Sequence, residues 1–168
     1  MTRAKLPLLG YAYVALCLPA LLLGLEHRNA VSALFTGAAF AYLWFLASLQ
    51  ARLVRFDPGG FLASVVVLGG ATFIALQAVA VLGGGAHVAA PSAAGAATVI
   101  IGSSLGAQRA RKIPKWFGWA GVAGGAAVLG VGIAEGAAAW TFTGDAGFAS
   151  SIGFMVWVVV TATYLLKR

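Results

Sequence analysis

The sequence predicts an all-α fold, a polytopic membrane bundle of six transmembrane helices with both ends of the chain in the cytoplasm. Three observations carry this prediction. Only 9% of the 168 residues are charged and 61% are hydrophobic, whereas a soluble domain carries about 25% charged residues. Six apolar runs of spanning length follow one another along the chain. The basic residues between those runs alternate from one side to the other. A water-soluble surface cannot be built at this charge density, so lipid is the expected solvent for most of the exterior. A spanning helix uses about 20 apolar residues at about 1.5 Å rise each. Six such helices and their short loops fill the sequence, so residues 1–168 read as a single integral membrane domain.

The first run covers about 6–25 and follows Arg3 and Lys5. Its apolar core is longer than the roughly 7–15 residues of a signal peptide, so it reads as a helix, with Pro19 a candidate kink. The second run covers about 30–49 and ends in Gln50-Ala51-Arg52. Asp57-Pro58-Gly59-Gly60 then makes a turn, because proline fixes one dihedral and glycine permits positive φ. The third run covers about 61–82. The fourth, about 88–107, is rich in Ala, Gly and Ser and carries Pro91 near its start. The fifth covers about 116–140 and the sixth about 148–166.

Arg3 and Lys5, then Arg52 and Arg55, then Arg109, Arg111, Lys112 and Lys115, then Lys167 and Arg168 fall on one side of this layout. Of the eleven Lys and Arg residues, Arg28 alone falls on the other. Short cytoplasmic loops retain Lys and Arg, which places the first set, and both termini, inside the cytoplasmic membrane. The alternation requires the fourth run to span, although it is the least hydrophobic. Trp116, Trp119, Trp140 and Tyr164 fall near span ends, where amphipathic rings favour the headgroup level. Trp44 and Trp157 fall deeper.

The net charge of +7 is distributed in loop clusters. That suits the anionic inner-leaflet surface. Nucleic acid is not an expected partner, because no soluble module is present to carry it. Cys17 is the one cysteine and reads as a small buried apolar residue.

Leucine gains little by leaving lipid, so helices in membranes associate through small residues that let backbones approach. Gly102 and Gly106 in the fourth helix have the small-xxx-small spacing. So do Gly121 and Gly125, and Gly132 and Gly136, in the fifth. Helices four and five are therefore expected at the centre. The sixth, with its Met155–Val160 run, is expected at the periphery facing lipid.

The candidate polar site gathers near the outer side. Glu135 is the one acidic residue inside an expected span, about one and a half turns from Trp140, or about 7–8 Å. Intramembrane carboxylates are costly and usually face interiors or water-filled cavities, so Glu135 reads either as a substrate or proton site or as a carboxylate that reaches the interface or pairs with Arg28. Glu26, His27 and Arg28 form the first outer turn, and His87 lies in the second outer loop. Gln77 lies mid-span in the third helix, where it can bond another helix or line a solute path. Carboxylate and imidazole suit zinc or copper, but the spacing fits no metal-ligand motif, and neither histidine lies deep enough in a span to clamp a haem. No metal site is expected and no particular cofactor is implied. Ser103 and Ser104 have no helical histidine to activate them. Gly83-Gly84-Gly85 lacks the following Lys-Ser/Thr of a phosphate loop.

The stretch Gln108-Arg109-Ala110-Arg111-Lys112-Ile113-Pro114-Lys115-Trp116-Phe117-Gly118-Trp119, with the closing Leu165-Leu166-Lys167-Arg168, resembles small multi-spanning membrane proteins of actinobacteria, over roughly the last 70 residues. That group has no assigned activity, so the resemblance implies topology and no catalytic residues. In size and span number the chain is also similar to the substrate-binding subunits of energy-coupling vitamin transporters. Those dock through small residues on their first helix. Here that helix reads Tyr11-Ala12-Tyr13-Val14-Ala15-Leu16-Cys17, without such a row.

With no convergent acid, base and nucleophile, the expectation is a non-catalytic accessory subunit. It would associate with other membrane protein subunits, or with itself, in the bilayer. The alternative is a small transporter or solute-binding subunit built around Glu135.

Overall fold

The computed structural model describes residues 8–23, 27–56, 59–80, 89–109, 114–139 and 148–166. Those residues form six α-helices: α1 (Leu8–Leu23), α2 (Arg28–Leu53), α3 (Phe61–Val79), α4 (Ala89–Arg109), α5 (Lys115–Ala139) and α6 (Phe148–Leu166). Among the described residues, four segments are long and apolar enough to cross a membrane: Asn29–Leu53, Phe61–Val79, Ala90–Arg109 and Lys115–Glu135. The apolar stretches Leu8–Leu23 and Ser151–Thr163 are shorter. Many large side chains point outward, among them Leu22, Phe40, Phe61, Leu68 and Val156. An exterior this apolar is that of a protein in lipid.

Local rules account for the helix ends. α2 runs one turn beyond Leu49, because buried Leu53 holds that turn against the core and Arg52 lies favourably at the negative end of the helix dipole. The chain then turns through Val54, Arg55 and Phe56, whose N–H groups donate to Gln50, Arg52 and Leu53 carbonyls. Gly60 precedes α3 at φ 67°, a left-handed conformation that glycine adopts without steric cost. α4 is continuous, with Pro91 in its first turn, where no intrahelical N–H is required. Pro19 lies inside α1, which continues past it.

α4 is the central helix. It packs against α3 and α5 along its length and also meets α2 and α6. α5 does not share that position. It packs on α4 and α6, while Ala120, Ala123, Ala127, Gly130, Ala134 and Ala137 are exposed on its far side. Its glycines and alanines cover two opposite faces, and composition alone does not tell which face is filled. The expectation for α6 also needs correction. Phe154, Met155, Val158 and Ala162 are buried and Val156 is exposed. One stripe of α6 enters the core at helical spacing, hidden in the sequence because both faces are apolar.

The core is aromatic at its centre. Tyr13, Tyr42, Phe73 and Phe154 from α1, α2, α3 and α6 are all fully buried. Ring centroids of Phe73 and Phe154 lie 4.3 Å apart, and those of Tyr13 and Tyr42 lie 5.1 Å apart. Several hydroxyls elsewhere are bonded within the protein. Thr36, Ser48, Thr98 and Thr163 donate to carbonyls three or four residues back, which satisfies polar groups without water. Because the Thr163 hydrogen goes to Val159, Tyr11 is the donor in the 2.7 Å bond that ties α1 to α6.

Candidate functional site

Two pockets lie at opposite ends of the bundle. The first is lined by Tyr13, Cys17 and Leu21 of α1, Val31 and Phe35 of α2, Phe73 and Gln77 of α3, and Ser151 of α6. Gln77 is its main polar group. The amide nitrogen donates to Ser92 of α4 and Ser151 of α6, both at 3.2 Å. Both serines are buried. Three helices are thus joined through one side chain, and both donors of the amide are used.

Of the residues that the sequence singled out, Gln77 is the one that lines this pocket. Glu135 is partly buried in the last turns of α5. His27 is exposed at the start of α2. Arg28 begins that helix, but its side chain is outside the described set, and Glu26 and His87 lie outside the described residues. Among the described residues, no three His, Cys, Asp or Glu side chains come together as metal ligands would. Sequence reading passed over Ser92 and Ser151. The signal that could have found them is a buried amide needing two acceptors, but which serines reach it depends on helix rotation.

Gln77→Leu is expected to lower the stability of the detergent-purified protein by about 1 kcal/mol, at about 0.6 kcal/mol per interhelical bond. Thermal melting measures this, and an unchanged melting temperature would remove the structural role of the amide.

The second pocket lies where α2 and α4 end and α5 begins. It is lined by Leu49, Arg52, Leu53 and Phe56, by Ser103, Ser104 and Ala107, by Phe117, and by Trp157 and Thr161. No protein-family model, curated protein or solved structure matches the chain. The geometry therefore carries the whole argument about this end. Trp157 donates its indole N–H to Ser103 at 3.2 Å, and its ring stacks on Phe117 with centroids 5.9 Å apart and planes 30° apart. Ser103 and Ser104 both donate to the Ile100 carbonyl, at 3.1 and 2.5 Å. Neither serine has a hydrogen left to offer, and among the pocket's lining residues neither has a base beside it. The pocket wall is mostly apolar, with one cation, Arg52, among its lining residues.

The predicted packing glycines face different helices. A Cβ at Gly121 would overlap the Ser104 hydroxyl, and one at Gly125 would lie 2.6 Å from Ile101, so this pair faces α4. A Cβ at Gly102 would lie 2.6 Å from Val66, and one at Gly106 would run into Leu53, so that pair faces α3 and α2. Gly132 is buried in α5, and Gly136 lies one turn further along the same helix.

Proposed function

We propose that the chain is a non-catalytic subunit of the cytoplasmic membrane, crossing it six times with both ends inside, that docks on another membrane protein through the outer face of α5. The observation that carries this reading is the spacing of that face. Ala120, Ala123, Ala127, Gly130, Ala134 and Ala137 follow one another at intervals of 3, 4, 3, 4 and 3 residues, and all are exposed. An alternation of three and four keeps one seam facing a partner helix in a left-handed crossing. Small residues let the partner backbone approach. A face meant only for lipid has no need of that seam. Trp116 and Trp119, both exposed at the start of α5, suit a headgroup level at the basic end. The loop charges support the six-span, both-ends-inside topology. Kinship with the small actinobacterial membrane proteins belongs to the same proposal and adds no catalytic residue.

Purification in mild detergent from the native membrane, followed by mass spectrometry, is expected to yield a stoichiometric partner chain. A Cβ at Gly130 would meet nothing within 4 Å. Gly130→Leu is therefore expected to lose the partner while the isolated chain melts as before. Recovery of the protein alone, or a partner retained by Gly130→Leu, would sink this reading.

A second reading, a small solute-binding or transport protein, draws on the pocket around Gln77. Its aromatic wall of Tyr13, Phe35 and Phe73 with one amide at the edge is the arrangement of a small-molecule site. A chain recovered alone, with solute bound beside Gln77, would favour it.

A further inference from the structure

We infer that the pocket at the basic end seats one acyl chain of an anionic phospholipid, with the lipid phosphate drawn to Arg52. The inference rests on the membrane reading above, in which this end meets the headgroups, but not on a protein partner.

Three features of the pocket select this occupant. Apart from the Thr161 hydroxyl, the side-chain donors inside it are taken. The Ser103 and Ser104 hydrogens go to Ile100, and the Trp157 N–H goes to Ser103. A polar solute entering between Leu49, Leu53 and Phe117 would find only the Thr161 hydroxyl in place of its water, at a cost of roughly 2–7 kcal/mol for each polar group left unpaired. A hydrocarbon chain loses nothing there. The pocket is only partly enclosed, so a chain can lie in it while the rest of the lipid stays outside.

The charge sits only at the rim. Arg52 occupies the last turn of α2 and is half-buried. Among the described residues it makes no ion pair, and the one described carboxylate, Glu135, is in the last turns of α5, at the far end of that helix from Phe117. Arg109 at the end of α4 and Lys115 at the start of α5 add positive potential at the same end. Guanidinium groups bind phosphate oxygens in a bidentate fork, and basic pockets between membrane helices bind anionic headgroups. Chain and headgroup thus have separate, adjacent places.

The test titrates the purified full chain in detergent with phosphatidylglycerol or phosphatidylcholine of identical chains and reads adducts by native mass spectrometry. One phosphatidylglycerol is expected to bind at about tenfold lower concentration than phosphatidylcholine. Arg52→Gln is expected to abolish that preference, and Arg55→Gln, exposed and outside the pocket, to keep it. Ala107→Phe, which fills the pocket, is expected to lose both lipids. A preference that survives Arg52→Gln overturns the proposal. So does displacement of the lipid by soluble glycerol phosphate, which would make the site a free-anion site. Because Arg52 is at the rim, its variant keeps the test decisive even if Ala107→Phe fails to fold. A chain recovered from the membrane without a partner sinks the subunit reading and leaves this measurement intact.

Discussion

Gly95→Ala is expected to destabilise the protein by about 2 kcal/mol, a large effect for one methyl group. Gly95 faces α3 where the two backbones touch. A Cβ there would lie 2.7 Å from the Gly69 carbonyl oxygen and 2.8 Å from the Phe73 nitrogen. The reciprocal addition, at Gly69, would meet Thr98 at 2.8 Å and the Gly95 carbonyl at 3.0 Å. These obstacles are mostly backbone, so no rotamer change relieves them and the helices must separate. Overpacking of a tight core costs about 1–3 kcal/mol. The better helix propensity of alanine returns only about 0.5–1 kcal/mol of this. Gly124→Ala is the control, since a Cβ there meets nothing within 4 Å and only the propensity gain remains. Thermal melting in detergent is expected to move the two variants in opposite directions. Equal shifts would mean that α3 and α4 are not in backbone contact.

That contact shows what the sequence could and could not tell. The helices themselves were legible, because apolar runs broken by Arg52–Gly60 and Arg109–Lys115 leave few alternatives. The Gly121–Gly125 pair was legible from its spacing. Gly69 and Gly95 were not, since each meets its partner across two helices and neither belongs to a regular pair within its own. The inward face of α6 was hidden for a related reason. Amphipathic periodicity marks a core face only when the other face is polar. In lipid both faces are apolar, so Met155 and Val156 look alike although the first is buried and the second exposed. At the candidate site, rare polar residues drew attention to Gln77 and Glu135. The sequence could not show that Gln77 reaches Ser92 and Ser151, because that depends on how three helices are rotated. Arg52 was legible as a marker of sidedness, and its place at the rim of a pocket emerged only with the fold.

Tyr42→Phe is expected to stabilise the protein by about 1 kcal/mol. Tyr42 is fully buried, and its hydroxyl has no hydrogen-bond partner among the described residues. Leaving a buried donor unmade costs about 1–3 kcal/mol. The ring itself is well placed, with centroids 5.7 Å from Phe154 and 6.0 Å from Phe73, and phenylalanine keeps those contacts. Gly70 makes the room for the hydroxyl, since a Cβ there would come within 2.7 Å of it and 2.6 Å of Leu46. Gly70→Ala is accordingly expected to destabilise, and by less in the Tyr42→Phe background, where one of its two obstacles is gone. The pair forms a double-mutant cycle read by thermal melting. A Tyr42→Phe variant that melts lower would mean that the hydroxyl is bonded in the membrane. Its ring lies against Tyr13, which lines the Gln77 pocket. A bonded hydroxyl would therefore shift the balance from subunit toward solute-binding protein.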